Sequence, residues 1–182
     1  ASTPSAWWNQ DHGVLSHGRQ ERKAPEFTRW DRDKGDSALG GAEERIFVGI
    51  VDAVAGDSAG SVYRFLRVPA NLVPTEIAVS TTGLGAGCAA SVGVYRPLGV
   101  DGGSVIDAYE FRTDIKLEAA GSDYANNMAA SPAVDFAKIN KQLWERLGFT
   151  RNPGYAMDIC LTLTGAAAAN GQVCVAIRGT LK

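Results

Sequence analysis

Arg45-Ile-Phe-Val-Gly-Ile-Val-Asp-Ala-Val54, the cluster Ala-Gly-Asp-Ser-Ala-Gly at 55–60, and Ser61-Val-Tyr-Arg-Phe-Leu-Arg-Val68 decide how the chain reads. The first run is apolar and rich in β-branched residues, and the cluster that stops it has the composition of a turn. In the second run Val62, Arg64 and Leu66 alternate with Tyr63, Phe65 and Arg67 before Pro69 stops it. A period of two puts successive side chains on opposite faces of a strand. The stretch therefore reads as strand, turn, strand.

The same grammar continues outward. Pro74 opens Thr75–Thr82, with Ile77 and Val79 on one face, and Ala89–Arg96 is bounded by glycines and Pro97. Val105–Leu117 alternates at Tyr109, Phe111, Thr113, Ile115 and Leu117, whereas 118–133, rich in Ala, Asn, Ser and Gly, reads as a long loop. Phe136, Ile139, Leu143 and Leu147 fall at helical spacing, with Asp135 as cap and Gly148 as stop, which predicts a helix over 135–147 carrying Trp144 into or near the core. Tyr155–Thr164 and Gln172–Leu181 close the chain as two strands, expected to pair as a hairpin across 165–171. Met157, Ile159, Leu161 and Leu163 share a face of one, and Val173, Val175 and Ile177 a face of the other. The expected fold is mainly β: a β-sandwich of jelly-roll type with one helix and an extended N-terminal arm. Strands do not alternate with helices, so a doubly wound sheet does not fit.

Composition divides the chain near residue 45. Residues 1–44 hold three of the four tryptophans, both histidines and fourteen charged residues, with almost no apolar periodicity. Such a segment cannot bury enough surface to fold by itself. It reads as an arm, and 45–182 as the β-sandwich body. Trp7, Trp8, Phe27 and Trp30 set the arm apart from an ordinary flexible tail, since each ring can bury roughly 150 to 250 Å². Two destinations are open to them: the chain's own body, or another subunit.

The bulk numbers limit the partners. Eighteen basic residues against twenty acidic ones give a net charge of -2, which weighs against phosphate-backbone binding, so no nucleic acid is expected. No run approaches the roughly 18 to 20 apolar residues of a membrane span, and no signal-peptide core opens the chain. A soluble, cytosolically made protein is expected. Cys88, Cys160 and Cys174 are odd in number and lack metal-ligand spacing, so free buried thiols are expected.

Four patterns resemble chemistry. Gly56-Asp57-Ser58-Ala59-Gly60 matches the nucleophile turn of serine hydrolases, but no histidine follows His17 to take the serine proton. Gly83-Leu-Gly-Ala-Gly87 follows a strand like a dinucleotide loop, yet strand, not helix, comes next. Asp11, His12 and His17 lack the spacing of a zinc site. Paired carboxylates, Asp107 with Glu110 or Glu76 with Asp158, leave no local signature of glycosidase work. The expectation is no enzyme, no cofactor and no metal.

Phe65-Leu-Arg-Val-Pro-Ala-Asn-Leu-Val-Pro-Thr-Glu-Ile77, Val92-Gly-Val-Tyr-Arg-Pro97, Val105-Ile-Asp107 and Lys141-Gln-Leu-Trp-Glu-Arg-Leu-Gly148, followed by Tyr155–Thr164, resemble the small head proteins of tailed bacteriophages that cement or decorate the capsid exterior. The likeness covers roughly 45–182 and rests on order and texture; the arm falls outside it. It implies a jelly-roll body without catalysis, the major capsid protein as partner, and a homo-oligomer, dimer or trimer, on the capsid lattice. The protein would be made in the host cytoplasm and sit on the virion exterior. On that reading Trp7, Trp8, Phe27 and Trp30 are the anchors, with Arg29 and Arg32 beside the last ring pairing with capsid carboxylates. The rival reading is a carbohydrate- or receptor-binding jelly-roll module, which would use exposed aromatics of the body: Tyr95, Tyr109, Tyr124 and Tyr155.

Overall fold

The computed structural model describes residues 21–23, 43–125 and 136–182. Among these residues nine strands form two sheets: β1 (Glu21–Lys23), β2 (Glu44–Ala53), β3 (Val62–Val68), β4 (Leu72–Thr81), β5 (Ala89–Tyr95), β6 (Val105–Lys116), β7 (Gly121–Ala125), β8 (Met157–Leu163) and β9 (Gly171–Leu181). One sheet has the order β1-β3-β8-β5-β6 and the other β2-β9-β4-β7.

The pairing follows one rule. β2 pairs with β9, β3 with β8, β4 with β7 and β5 with β6, all antiparallel. The chain from β2 to β9 is thus one long hairpin, closed at its tip by β5 and β6, and wound so that successive rungs fall on alternate sheets. Pairing of β4 with β9 and of β5 with β8 completes the two sheets. This is the double-sheet jelly roll that the strand pattern predicts. β1 adds to the outer side of β3 in parallel.

The core lies between the sheets. Val51, Ala53, Ile77, Val79, Val173, Val175 and Ile177 face inward from one; Tyr63, Phe65, Ala90, Val92, Val94, Met157, Ile159, Leu161 and Leu163 face them from the other. The shared faces expected on β4, β8 and β9 are therefore the core faces. Gly49 is inward on β2 because the two sheets touch there: a Cβ would run into the backbone carbonyl of Phe65.

Four expectations give way. The 135–147 helix reduces to a 3-10 turn at Phe136–Lys138 and a single α-turn, α1, at Leu143–Arg146. Asn140 takes a positive φ of 60° and interrupts the spiral. α1 then starts afresh through a capping box in which Gln142 and Glu145 each satisfy the other's backbone. Leu143 is buried and Trp144 packs partly buried against the core, but Ile139 is 43% exposed, outside the expected apolar stripe. The 118–133 loop contains β7, an edge strand pairing with β4 over Ile77–Thr81, while 126–135 lie outside the described residues.

β4 begins at Leu72, ahead of Pro74, and carries the proline at a bulge between Pro74 and Glu76. A bulge is where a sheet tolerates a residue that donates no hydrogen bond. Finally, β8 and β9 are not a hairpin. They follow one another in sequence but belong to different sheets, because β9 must return to β2 and β4 while β8 sits between β3 and β5.

Candidate functional site

Two of the sequences that look like chemistry, Gly56–Gly60 and Gly83–Gly87, are hydrogen-bonded connections between strands. In Gly56–Gly60 the serine side chain is not the working group. Asp57 is: buried, its carboxylate accepts from the Tyr63 hydroxyl at 2.8 Å and from the Val54 amide at 3.3 Å, locking the turn onto β3. Ser58 is exposed on that turn, and its carbonyl accepts from the Ser61 amide. Gly83, Gly85 and Gly87 all take positive φ in a connection whose Leu84 amide donates to Leu117 O, and Leu84 O in turn accepts from Ala168 and Ala169. The strand expected after this loop, β5, follows at Ala89. His12, His17 and Asp11 lie outside the described residues.

Two of the four carboxylates considered for glycosidase work, Asp158 and Glu110, sit in buried ion clusters. Asp158 is buried on the outer face of its sheet, where it accepts from Arg64 at 3.1 Å and Arg67 at 2.7 Å. Arg64 donates further to the carbonyls of Arg96 and Gly103 and lies 5.5 Å from the Tyr95 ring centre. Strict alternation puts Arg64 and Arg67 on opposite faces of β3. The bulge between Arg64 and Leu66 shifts the register, so both reach one aspartate. Glu110, with its carboxylate fully buried, accepts from Arg146 at 2.8 Å and from Lys138, tying the 136–148 segment to β6. Both clusters neutralise the acids they hold.

Glu76 faces Arg178 on the outer surface of the other sheet, so Glu76 and Asp158 occupy opposite outer faces of the sandwich and do not converge. Asp107 is spent locally, accepting from the Tyr109 amide. The three cysteines are free, and burial pushes the thiols of Cys88 and Cys174 above their usual range, Cys88 with help from the nearby Glu118 charge. Raised thiols are poor nucleophiles.

What the body offers instead is a surface. β2 ends its sheet, pairing with β9 on one side and with no other described strand. Its inward residues Val51 and Ala53 are buried, whereas its outward residues form an apolar row: Ile46 at 57% exposure, Val48 at 43% and Ile50 at 42%. Opposite them on β9 stand Arg178, Ala176 and Cys174, and beyond these on β4 Glu76, Ala78 and Ser80. The row is thus bounded by small side chains and, at one end, by Arg178 lying 3.7 Å from Glu44 and 3.6 Å from Glu76. Native edges are usually blunted by charge, proline or a covering element. β2 has charge only at its ends, and the arm enters the body there.

The aromatic and basic residues expected to anchor the arm, Trp7, Trp8, Phe27, Arg29, Trp30 and Arg32, all lie outside the described residues. Of the arm, the structure describes Glu21–Lys23 as β1 and the root Glu43–Glu44. Among the tyrosines considered for sugar binding, Tyr95 is not available, being buried with its hydroxyl 2.6 Å from Thr162 Oγ1. Tyr109 is 61% exposed, and Tyr155 is half-buried against the core. The apolar β2 row escaped the sequence reading because Ile46, Val48 and Ile50 look like core. The available signal was that both alternating sets of 45–54 are apolar, which leaves one set without a place inside a one-sided strand.

No helix among the described residues is long and apolar enough to cross a membrane. No family model matches the chain, and no curated protein matches it. A solved structure titled "Cyanophage Pam1 capsid asymmetric unit" is similar at a TM-score of 0.46, with 11% identity over 87% of this chain and 99% of that chain.

Proposed function

We propose that this chain is a non-enzymatic structural protein of a phage virion, which binds the outer surface of the capsid and stabilises contacts between capsomers. The observation that carries this reading is the exposed apolar row of β2, an edge among the described strands, at the root of an aromatic-rich arm. A jelly roll closed on a dense core, with its buried Asp158 and Glu110 held in ion pairs, suits a body that presents surface. The resemblance of residues 45–182 to head decoration proteins agrees with it. The partner is the major capsid protein, reached through Trp7, Trp8, Phe27 and Trp30 as buried anchors and through Arg29 and Arg32 as partners for carboxylates. The β2 edge adds a second contact by accepting an extended capsid segment as a further strand. Many copies, each weakly held, add up to a clamp because separating capsomers then breaks every bridge at once.

The test is cosedimentation of the full chain and of a 45–182 truncation with expanded, undecorated phage heads. Saturable binding of the full chain at a lattice-matched ratio, lost on truncation, is the expected outcome. Equal binding by both would move the interface to the β body alone, and absence of binding by either would overturn the reading.

A further inference from the structure

Among the described residues, β1 is held to its neighbour by three. Glu21, Arg22 and Lys23 align with Val62, Tyr63 and Arg64 on the outer side of β3, and the pairing is parallel, the less stable of the two ladder types per residue. The direction of this pairing fixes where the chain goes next. Lys23 leaves level with Arg64 and heads toward the Val68 end of β3. β2, in the facing sheet, crosses Phe65 at Gly49 and begins five residues earlier, at Glu44, beyond that same end.

The direct path from Lys23 to Glu43 therefore runs about 17 Å along the strands and about 10 Å between the sheets, roughly 20 Å in all. Six or seven extended residues would bridge it. Residues 24–42 could span roughly 60 Å at a strand's rise. The tether is about three times longer than its own body requires.

We propose that Glu21–Lys23 is an exchangeable strand, donated to β3 of a second copy of this chain as readily as to its own. The contact made is the same in both cases, so no new surface has to be complementary. Which copy receives the strand is set by the concentration of neighbouring β3 edges relative to the effective concentration of the chain's own, which a long tether lowers. Copies held side by side would then be linked strand to edge, each giving an arm and accepting one. Strand exchange involves copies of this chain alone and does not depend on capsid binding.

Two single-cysteine chains test it, Glu21→Cys and Val62→Cys, both in a Cys88→Ala, Cys160→Ala, Cys174→Ala background. The two are mixed and oxidised over a range of concentrations. Since position 21 aligns with 62, exchange yields a mixed disulfide dimer. Its fraction should rise about tenfold for a tenfold rise in concentration while dimer is the minor species, as mass action requires. Adding Arg22→Pro and Lys23→Pro to the donor chain should abolish it, because proline removes the ladder donors. No mixed dimer at any concentration, with internal closure of a chain bearing both cysteines, would make β1 a latch of its own body and overturn the proposal. Failure of both reactions would overturn it too.

Val62 is buried, so the result is checked at a surface site. A donor dye on Glu21→Cys of one chain and an acceptor on Ser58→Cys of another, in the exposed turn before β3, should show energy transfer in the mixture. Absence of transfer contradicts exchange whatever the fate of the Val62 variant. Phage heads play no part in either measurement, so failure here leaves the capsid reading standing, and failure of head binding leaves this one.

Discussion

Asp158 shows how a single residue organises one face of the molecule. It is buried and holds two arginines of unlike exposure, Arg64 at 6% and Arg67 at 57% by side chain. Removing one member of a buried pair strands the other charge and typically costs about 3 to 5 kcal/mol, whereas an exposed pair is worth about 1 kcal/mol or less. Asp158→Ala should therefore destabilise the fold by about 3 kcal/mol, at the low end because Arg64 keeps the carbonyls of Arg96 and Gly103. Arg67→Ala should cost about 1 kcal/mol or less. Urea unfolding of both variants decides this, and equal losses would mean that burial does not set the energetics here. The acids were visible in the sequence, but their pairing was not. Arg64 and Arg67 meet at one carboxylate only because β3 bulges between Arg64 and Leu66, and an alternating pattern carries no mark of a bulge.

At the scale of elements, the strands with two unequal faces were legible and those without were not. β8 and β9 carry their core residues at every second position, so their location followed directly from period two. β7, Gly-Ser-Asp-Tyr-Ala, has no apolar alternation because it is an edge strand held by β4, and nothing local announces it. The helix failed for the opposite reason: four apolar residues at helical spacing look like one face of a spiral, yet Asn140 adopts a left-handed conformation within it. β2 is the element on which the proposed capsid contact turns. Val48→Lys places a charge in the middle of the apolar row without touching the core, and surface changes of that kind usually stay within about 0.5 kcal/mol. Its melting behaviour should match that of the parent chain while its binding to undecorated heads falls several-fold. A large loss of stability would instead mean that the β2 row is covered within the monomer.

For the whole molecule, the wound hairpin has a kinetic consequence. β2 pairs with β9, at the far end of the chain, and β3 takes β8 as its antiparallel partner, so the sheets assemble from pairings of large sequence separation. Topologies dominated by such pairings fold in roughly milliseconds to seconds, since loop-closure entropy precedes the reward of contact. Stopped-flow refolding should place this protein in that range, and deletion of 171–182 should leave it unable to fold, because β9 separates β2 from β4 and supplies Val173, Val175 and Ile177 to the core. Microsecond folding, or a folded truncation, would contradict the arrangement.

Sequence by itself determined that the chain is a β-sandwich, where most of its strands run, which side chains fill its core, and that residues 1–44 differ in kind from the rest. Those properties are local, because the period of two and the composition of a turn are written in neighbouring residues. The tertiary structure alone decided that β8 and β9 part company into different sheets, that Asp158 and Glu110 are satisfied by arginines far from them in the chain, and that the Ile46, Val48 and Ile50 row stays outside. Each of these depends on what a strand meets across the sheet. An apolar residue on β2 has the same side chain whether a neighbour covers it or not, and only the order of strands, which ends at β2, leaves that row uncovered by any described strand.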